Sequence, residues 1–282
     1  MAVSMKDIKT RIRSMESTKQ ITKAMEMVAT SKLRRAQDRV LKSRPYFEVL
    51  YQTVTDIAKG NQDLTSPYVE QRDGKSVCCI VIAGDRGLAG GYNNNIIKMA
   101  VAQMAGKDAT VLPIGKKAVE YFRSHGYTLM TDVWFEAAAL SISDCFTMAR
   151  SVCKEFLAGK FDEVYLAFTS FGSILTQTPA VMKLLPLPAP EKSTSGEVHQ
   201  LTMYEPDADA VFDAIIPEYL GGLIYGALCE SLASELGARR TAMDAATKNA
   251  EEMIDDLNLK YNQARQSAIT QEITEIIAGA DA

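Results

Sequence analysis

Histidine, tryptophan and closely spaced cysteines are scarce in these 282 residues, and each shortage closes off a kind of chemistry. Two histidines, His125 and His199, and five cysteines without a C-x-x-C pair do not assemble a zinc set. A Ser–His or Cys–His nucleophile would have to draw on one of the same two histidines, and neither lies in a catalytic motif. His199 adjoins a polar loop and His125 precedes a helix-ending glycine, so both read as solvated. Cys78, Cys79, Cys145, Cys153 and Cys229 are odd in number, and neighbours on a strand such as Cys78 and Cys79 point to opposite faces. They read as buried free thiols in a reducing compartment. No apolar run reaches eighteen residues, so no transmembrane helix is expected. The N-terminus lacks the apolar core of a secretory signal, and Asp7, Glu16 and Glu26 argue against a transit peptide. The expected location is cytoplasmic.

Glycine is absent from Ser4 to about Ala58, and Pro45 is the single proline there. Helix formers fill the stretch, with apolar residues at Met5, Ile8, Ile12 and Met15, then Ile21, Met25 and Val28. Steps of three and four make the seam of a coiled coil. One helix over this range would be ~80 Å long, with Pro45 bending rather than ending it. Beyond Leu223 a second helical stretch runs to about Ile277 with one glycine, Gly237. Its seam is Ile254, Leu257, Tyr261, Ala264 and Ala268. Pro217, Gly221 and Gly222 predict a bend or a loosened turn near its start.

Charge separates the ends. Residues 1–58 carry a balance of +6, residues 59–206 of −1, and residues 207–282 of −9. Over a hundred residues of helix exceed what one globular core can cover, so the two stretches are expected to bury their stripes on each other. Opposite charge selects the partner more than it stabilises the pair. If the ends of the intervening region lie close together, the helices run antiparallel.

That intervening region changes period. Residues 59–75 are rich in breakers and read as a linker or surface loop. SVCCIVIAG (76–84), ATVLPIG (109–115) and DEVYLAFTSFG (162–172) read as strands, with helices over 94–105, 116–126 and 141–158. The alternation predicts an α/β layer with a largely parallel sheet. TPAVMKLLPL (178–187) and HQLTMYEP (199–206) read as later strands around a polar loop.

GDRGLAGGYNNN (84–95) sits where phosphate is often bound, after a strand and before a helix. It ends in Gly91-Tyr92-Asn93 rather than Gly-Lys-Ser/Thr, its glycines are spaced by two, and no acidic residue closes the next strand. A tight turn is the simpler reading, although an enzyme using the α/β layer is a rival. The basic cluster Lys32, Arg34, Arg35, Arg39, Lys42 and Arg44 raises a second rival, a coiled-coil scaffold that binds nucleic acid. A pI near 5.4 and the lack of interleaved aromatics before Tyr46 favour a face that meets acidic protein surfaces. Ile269, Ile273, Ile276 and Ile277 form an apolar tip suited to a partner's cavity.

KQITKAMEMVATSKLRRAQ (19–37), DRGLAGGYN (85–93), ESLASELGARRTAMDAATKNAEEMI (230–254) and YNQARQSAITQEITEII (261–277) together resemble the gamma subunit family of F-type ATP synthases, in order and over nearly the whole chain. The resemblance implies an α/β protein in three parts. The N-terminal helix (1–58) and C-terminal helix (207–282) form an antiparallel coiled coil, and 59–206 form a Rossmann-like globular domain without nucleotide. It implies a rotor shaft inside a ring of alpha and beta subunits, standing on a c-ring beside an epsilon subunit at the cytoplasmic face of the cell membrane. No catalytic residue, cofactor or metal of its own is implied. By the same resemblance Lys23, Met25, Glu26 and Arg239 face the torque-transmitting loop of the beta subunit. Arg265 and Gln266 pair with a second beta loop, Thr270 and Glu272 lie just beyond, and Tyr204 and Glu205 approach the c-ring. No inserted cysteine pair of the light-regulated chloroplast kind is present.

Overall fold

Ser4 opens the first helix: its hydroxyl accepts from the Lys6 N–H and its carbonyl from the Asp7 N–H. From there α1 runs over Met5–Gly60, and Pro45 lies inside it without ending it. In this computed structural model residues 4–60, 65–72, 74–131, 135–187, 204–205 and 207–280 are described. The expected strand over 199–206 and the polar loop before it fall almost wholly outside them. The chain divides into two compact units, Met1–Thr30 with Arg239–Ala282, and Ser31–Ala238.

The larger unit holds a five-stranded sheet in the order β3-β2-β1-β4-β5. Strands β1 (Ser76–Ile82), β2 (Asp108–Ile114), β3 (Thr128–Leu129) and β4 (Glu163–Phe171) are parallel, and β5 (Gln177–Leu185) returns antiparallel at the edge. The prolines obey this layout. Pro179 sits on the edge strand, and Pro113 lies past the two residues of β2 that pair with β3, so neither removes a needed ladder bond.

Helices cover both faces. On one, Ile96, Ala100 and Met104 of α2 (Tyr92–Met104) join Ala118 and Phe122 of α3 (Lys116–Ser124) over Cys79 and Val81. On the other, α4 (Ile142–Leu157) joins Val54 and Ile57 of α1 and Phe212, Ile216, Leu220 and Ile224 of α5 (Ala208–Ala280) over Cys78, Ile80 and Ile82. Cys78 and Cys79 thus lie on opposite faces, and all five thiols are free and buried. Burial pushes the Cys79 thiol up to about 12, so it is inert at neutral pH.

Two expectations are corrected and a third is qualified. Residues 59–75 are not simply a surface loop: Lys59 and Gly60 are helical, Tyr68 is buried against Phe156, and Ser66 donates to Asp213. No loosened turn interrupts Pro217–Gly222, because α5 is helical throughout, and Asp207 caps it by accepting from the Ala210 N–H. Gly221 instead makes room for α4, since a Cβ there would lie 2.2 Å from the Phe146 ring. Finally, α5 is long and apolar enough by length and composition to cross a membrane, with a window of mean hydropathy 1.3. Half of that window is buried inside the protein, where Phe212, Ile216 and Ile224 belong to the core.

At the starting ends of the strands Glu163 gathers Lys107 Nζ, Lys183 Nζ and Tyr165 Oη, each at 2.9 Å. Burial opposes the carboxylate, but these three donors outweigh it and hold the pKa down, from 4.5 to about 2. A depressed folded pKa stabilises the fold above about 4.5 and loses that contribution as pH falls towards about 2. The gap between the urea midpoints of wild type and Glu163→Gln should therefore be full at pH 6, smaller at pH 3 and closed only as pH approaches 2. Gly221→Ala, overpacking the α4–α5 contact, should cost about 1–3 kcal/mol in the same measurement.

Candidate functional site

The smaller unit is built from the start of α1 and the end of α5. Along α1 the covered positions are Ile8, Ile12, Met15, Lys19, Thr22, Met25, Glu26 and Ala29, and apart from Met25 they alternate steps of four and three. Along α5 they are Met243, Thr247, Ala250, Ile254, Leu257, Tyr261, Ala264 and Ala268. The C-terminal seam is the expected one, extended by a further heptad. The N-terminal seam needs correction after Met15: Ile21 and Val28 are 60% and 55% exposed. Continuing the rhythm from Met15 lands on Lys19 and Thr22, so the seam there is polar; Ile21 and Val28 face outward, while Met25 is half-buried beside it.

Two contacts set the direction. Thr247 Oγ1 donates to Thr22 Oγ1 at 2.7 Å, and Lys19 pairs with Glu251 at 2.9 Å. Partner numbers fall along α5 as they rise along α1, so the two segments are antiparallel. Thr22 in turn donates to the Lys19 carbonyl, and Thr247 also lies 2.8 Å from the Met243 carbonyl. Both hydroxyls are buried and satisfied, as a polar layer in a seam requires.

Of the expected site residues, Lys23 and Glu26 form an ion pair at 2.9 Å, with Met25 half-buried beside them. Across the seam Asp244 is held below its usual range, chiefly by Lys248 and in part by Lys23, so this region is a ring of alternating charge. Arg239 is half-buried and, in the register of the two contacts, falls about one turn beyond the level of Glu26. Arg265, Gln266, Thr270 and Glu272 are exposed near the other end of the unit. Gln266 and Thr270 share a shallow polar groove with Gln263, Ser267, Gln271 and Thr274. In the same register the described start of α1, Met5, lies opposite about residue 265. The last turns of α5 therefore run on alone among the described residues, and Ile276 and Ile277 are 71% and 58% exposed. Tyr204 and Glu205 belong to the larger unit, where Tyr204 packs against the core and Glu205 is exposed.

The Gly-rich turn is filled by protein groups. Asn93 accepts from the Gly84 N–H at 2.8 Å and donates to the Arg86 carbonyl. The carboxylate of Glu235, itself buried, lies so close that a Cβ on Gly84 would be 2.8 Å from its Oε1. A side chain of the protein itself stands where a pyrophosphate would approach. Lys32, Arg34, Arg35, Arg39 and Lys42 are exposed along α1 in the larger unit, as a solvated basic face requires.

Sequence comparison agrees with this architecture. The ATP synthase family model matches residues 4–282. An ATP synthase gamma chain of Ruminococcus albus is 46% identical over 278 residues, covering 97% of this chain and 96% of that one. A gamma chain of Acetobacterium woodii described as sodium ion specific is 40% identical, covering 100% and 99%. Among solved structures, a chain of the Euglena gracilis mitochondrial ATP synthase, OSCP/F1/c-ring in rotational state 3, aligns with a TM-score of 0.70 at 17% identity over 98% of this chain and 93% of that one. One from the central stalk and c-ring of the Tetrahymena thermophila mitochondrial enzyme aligns with a TM-score of 0.60 at 20% identity, covering 80% and 99%. The fold is thus the one found in rotor and central-stalk chains. The chain belongs to the ATP synthase gamma chain family.

The seam can be tested by thermal unfolding. Thr247→Ala should cost about 1–2 kcal/mol, because it removes the bond across the seam. Lys19→Ala, which breaks the exposed pair with Glu251, should leave the midpoint nearly unchanged.

Proposed function

We propose that this chain is the central rotor shaft of an F-type ATP synthase. It couples ion-driven rotation of a c-ring to ATP synthesis or hydrolysis on a surrounding ring of alpha and beta subunits. The observation that carries the reading is the smaller unit: two antiparallel helices on a narrow seam interrupted by Lys19, Thr22, Glu26 and Thr247, one running on into an exposed isoleucine tip. A surface of that kind is completed by a surrounding partner. Full-length similarity to gamma chains supports the assignment.

In this reading the chain is non-catalytic, and the Glu235 side chain packed against Gly84 supports that by filling the Gly-rich turn. Segments 1–58 and 207–282 act as the shaft and 59–206 as the base beside an epsilon subunit. The protein is peripheral, at the cytoplasmic face of the cell membrane. Lys23, Met25, Glu26 and Arg239 meet the beta loop that transmits torque. Arg265, Gln266, Thr270 and Glu272 meet beta higher in the ring, and Tyr204 and Glu205 approach the c-ring. The physics of coupling is differential contact: two unlike helices have no threefold symmetry, so each beta subunit meets a different face and favours a different nucleotide state.

Coexpression with alpha and beta subunits tests both levels. The wild-type chain should copurify in a stoichiometric complex with ATPase activity, and Met25→Lys should change that activity. Failure to copurify would sink the shaft reading, whereas a complex whose ATPase ignores Met25→Lys would remove only that contact.

A further inference from the structure

Strand β4 outlasts its neighbour. It pairs with β1 only over Glu163–Ala167, because β1 has ended, yet it continues to Phe171. On its far side Thr169 stands opposite Pro179 of β5. The N–H groups of Thr169 and Phe171 and the carbonyl of Thr169 therefore point where a strand would be and none is. Buried backbone groups need partners, and here α5 supplies them from its side chains. Ser231 Oγ accepts from the Thr169 N–H at 3.1 Å, and Ser234 Oγ donates to the Thr169 carbonyl at 3.2 Å. Glu230 accepts twice, from the Phe171 N–H at 3.2 Å and from Ser170 Oγ at 2.8 Å. Both serines are fully buried.

The surrounding contacts close round the same stretch of helix. Glu235 lies against Gly84, just past the end of β1. Phe171 and Ile174, at the β4–β5 turn, pack with Ala233 and Leu236 of α5 and with Leu33 and Ala36 of α1. A Cβ on Gly237 would lie 3.3 Å from Gln177 Nε2. Apolar packing resists separation but permits sliding and turning, whereas hydrogen bonds to fixed backbone groups are directional. Three such bonds, with a fourth to the Ser170 hydroxyl, fix both the height and the rotation of α5 on the sheet.

We propose that Glu230, Ser231 and Ser234 are positioning residues for coupling: they key α5 to the unpaired overhang of β4, so that the helix does not turn about its own axis against the α/β layer under load. The inference rests on the rotor reading above and adds the place where torque is held. An ordinary core contact in this position would show itself only in stability. A torsional key shows itself in the ratio of ion transport to hydrolysis.

The test uses the complete membrane complex in inverted vesicles, measuring ATP hydrolysis and ATP-driven ion pumping on the same preparation, with complex content fixed by immunoblot. In Glu230→Ala/Ser231→Ala, which removes three of these bonds, pumping per ATP hydrolysed should fall by about tenfold or more, since one hydrogen bond to a charged group alone weighs about that much on an equilibrium. Glu230→Gln keeps an acceptor and should restore the ratio. Ser170→Ala, which removes a partner from the strand and leaves α5 intact, should lower it more mildly and guards against misfolding of the double variant. An unchanged ratio in both Ser170→Ala and the double variant overturns the key, as does a loss of pumping and hydrolysis in proportion to assembled complex. Absence of coupled activity with the wild-type chain would instead overturn the rotor reading itself.

Discussion

A helix has one stripe to bury, and seventy-three residues of it cannot all be covered by one core. Everything else in the architecture follows from how α5 divides that burden. Its first part lends Phe212, Ile216, Leu220 and Ile224 to the sheet, together with Val54 and Ile57 from the late part of α1. Its middle part lies against the early part of α1 along steps of three and four. Its last turns have no such cover among the described residues. The chemistry of the side chains tracks this sequence of environments, from aromatic and aliphatic, through alanine and threonine, to isoleucines left in the open.

The fold was largely legible beforehand because period and breakers carry most of the information. The continuous apolar runs at 76–84 and 162–172, the alternating helices and the break-free ends located nearly every element to within a few residues. What misled was apolarity taken without rhythm. Ile21 and Val28 looked like seam residues because they are greasy, yet a step of six from Met15 to Ile21 cannot stay on one face. Thr22 was passed over because it is polar, and Thr22 is the one that is buried. The same bias hid Ser231 and Ser234, although polar residues spaced by three inside an apolar helix point to buried partners. Glycines misled in the other direction: Gly221 suggested a loosened turn, and its reason is the nearness of Phe146.

The site residues were legible only as far as exposure and local pairing. Lys23, and the polar run from Gln263 to Thr274, stand on the surface where a partner can reach them, whereas Glu26 is largely covered. What such a partner contributes is written in its own sequence. The Gly-rich turn shows the opposite case, a motif that invites a ligand by its spacing and is occupied by its own molecule. Asn93 belongs to the turn itself, whereas Glu235 comes from 151 residues beyond Gly84, and only the fold brings it there.

The overhang of β4 has a consequence for biosynthesis. Its bare ladder groups at 169–171 leave the ribosome some sixty residues ahead of the side chains that satisfy them. At ordinary translation rates of about 5–20 residues per second, that is a delay of about 3–12 s. Throughout that interval the nascent chain displays an open strand margin, the kind that recruits stray strands from other molecules. Completion of the last helix is thus what shields the sheet, and a truncated product would be sticky for the same reason that the finished one is not.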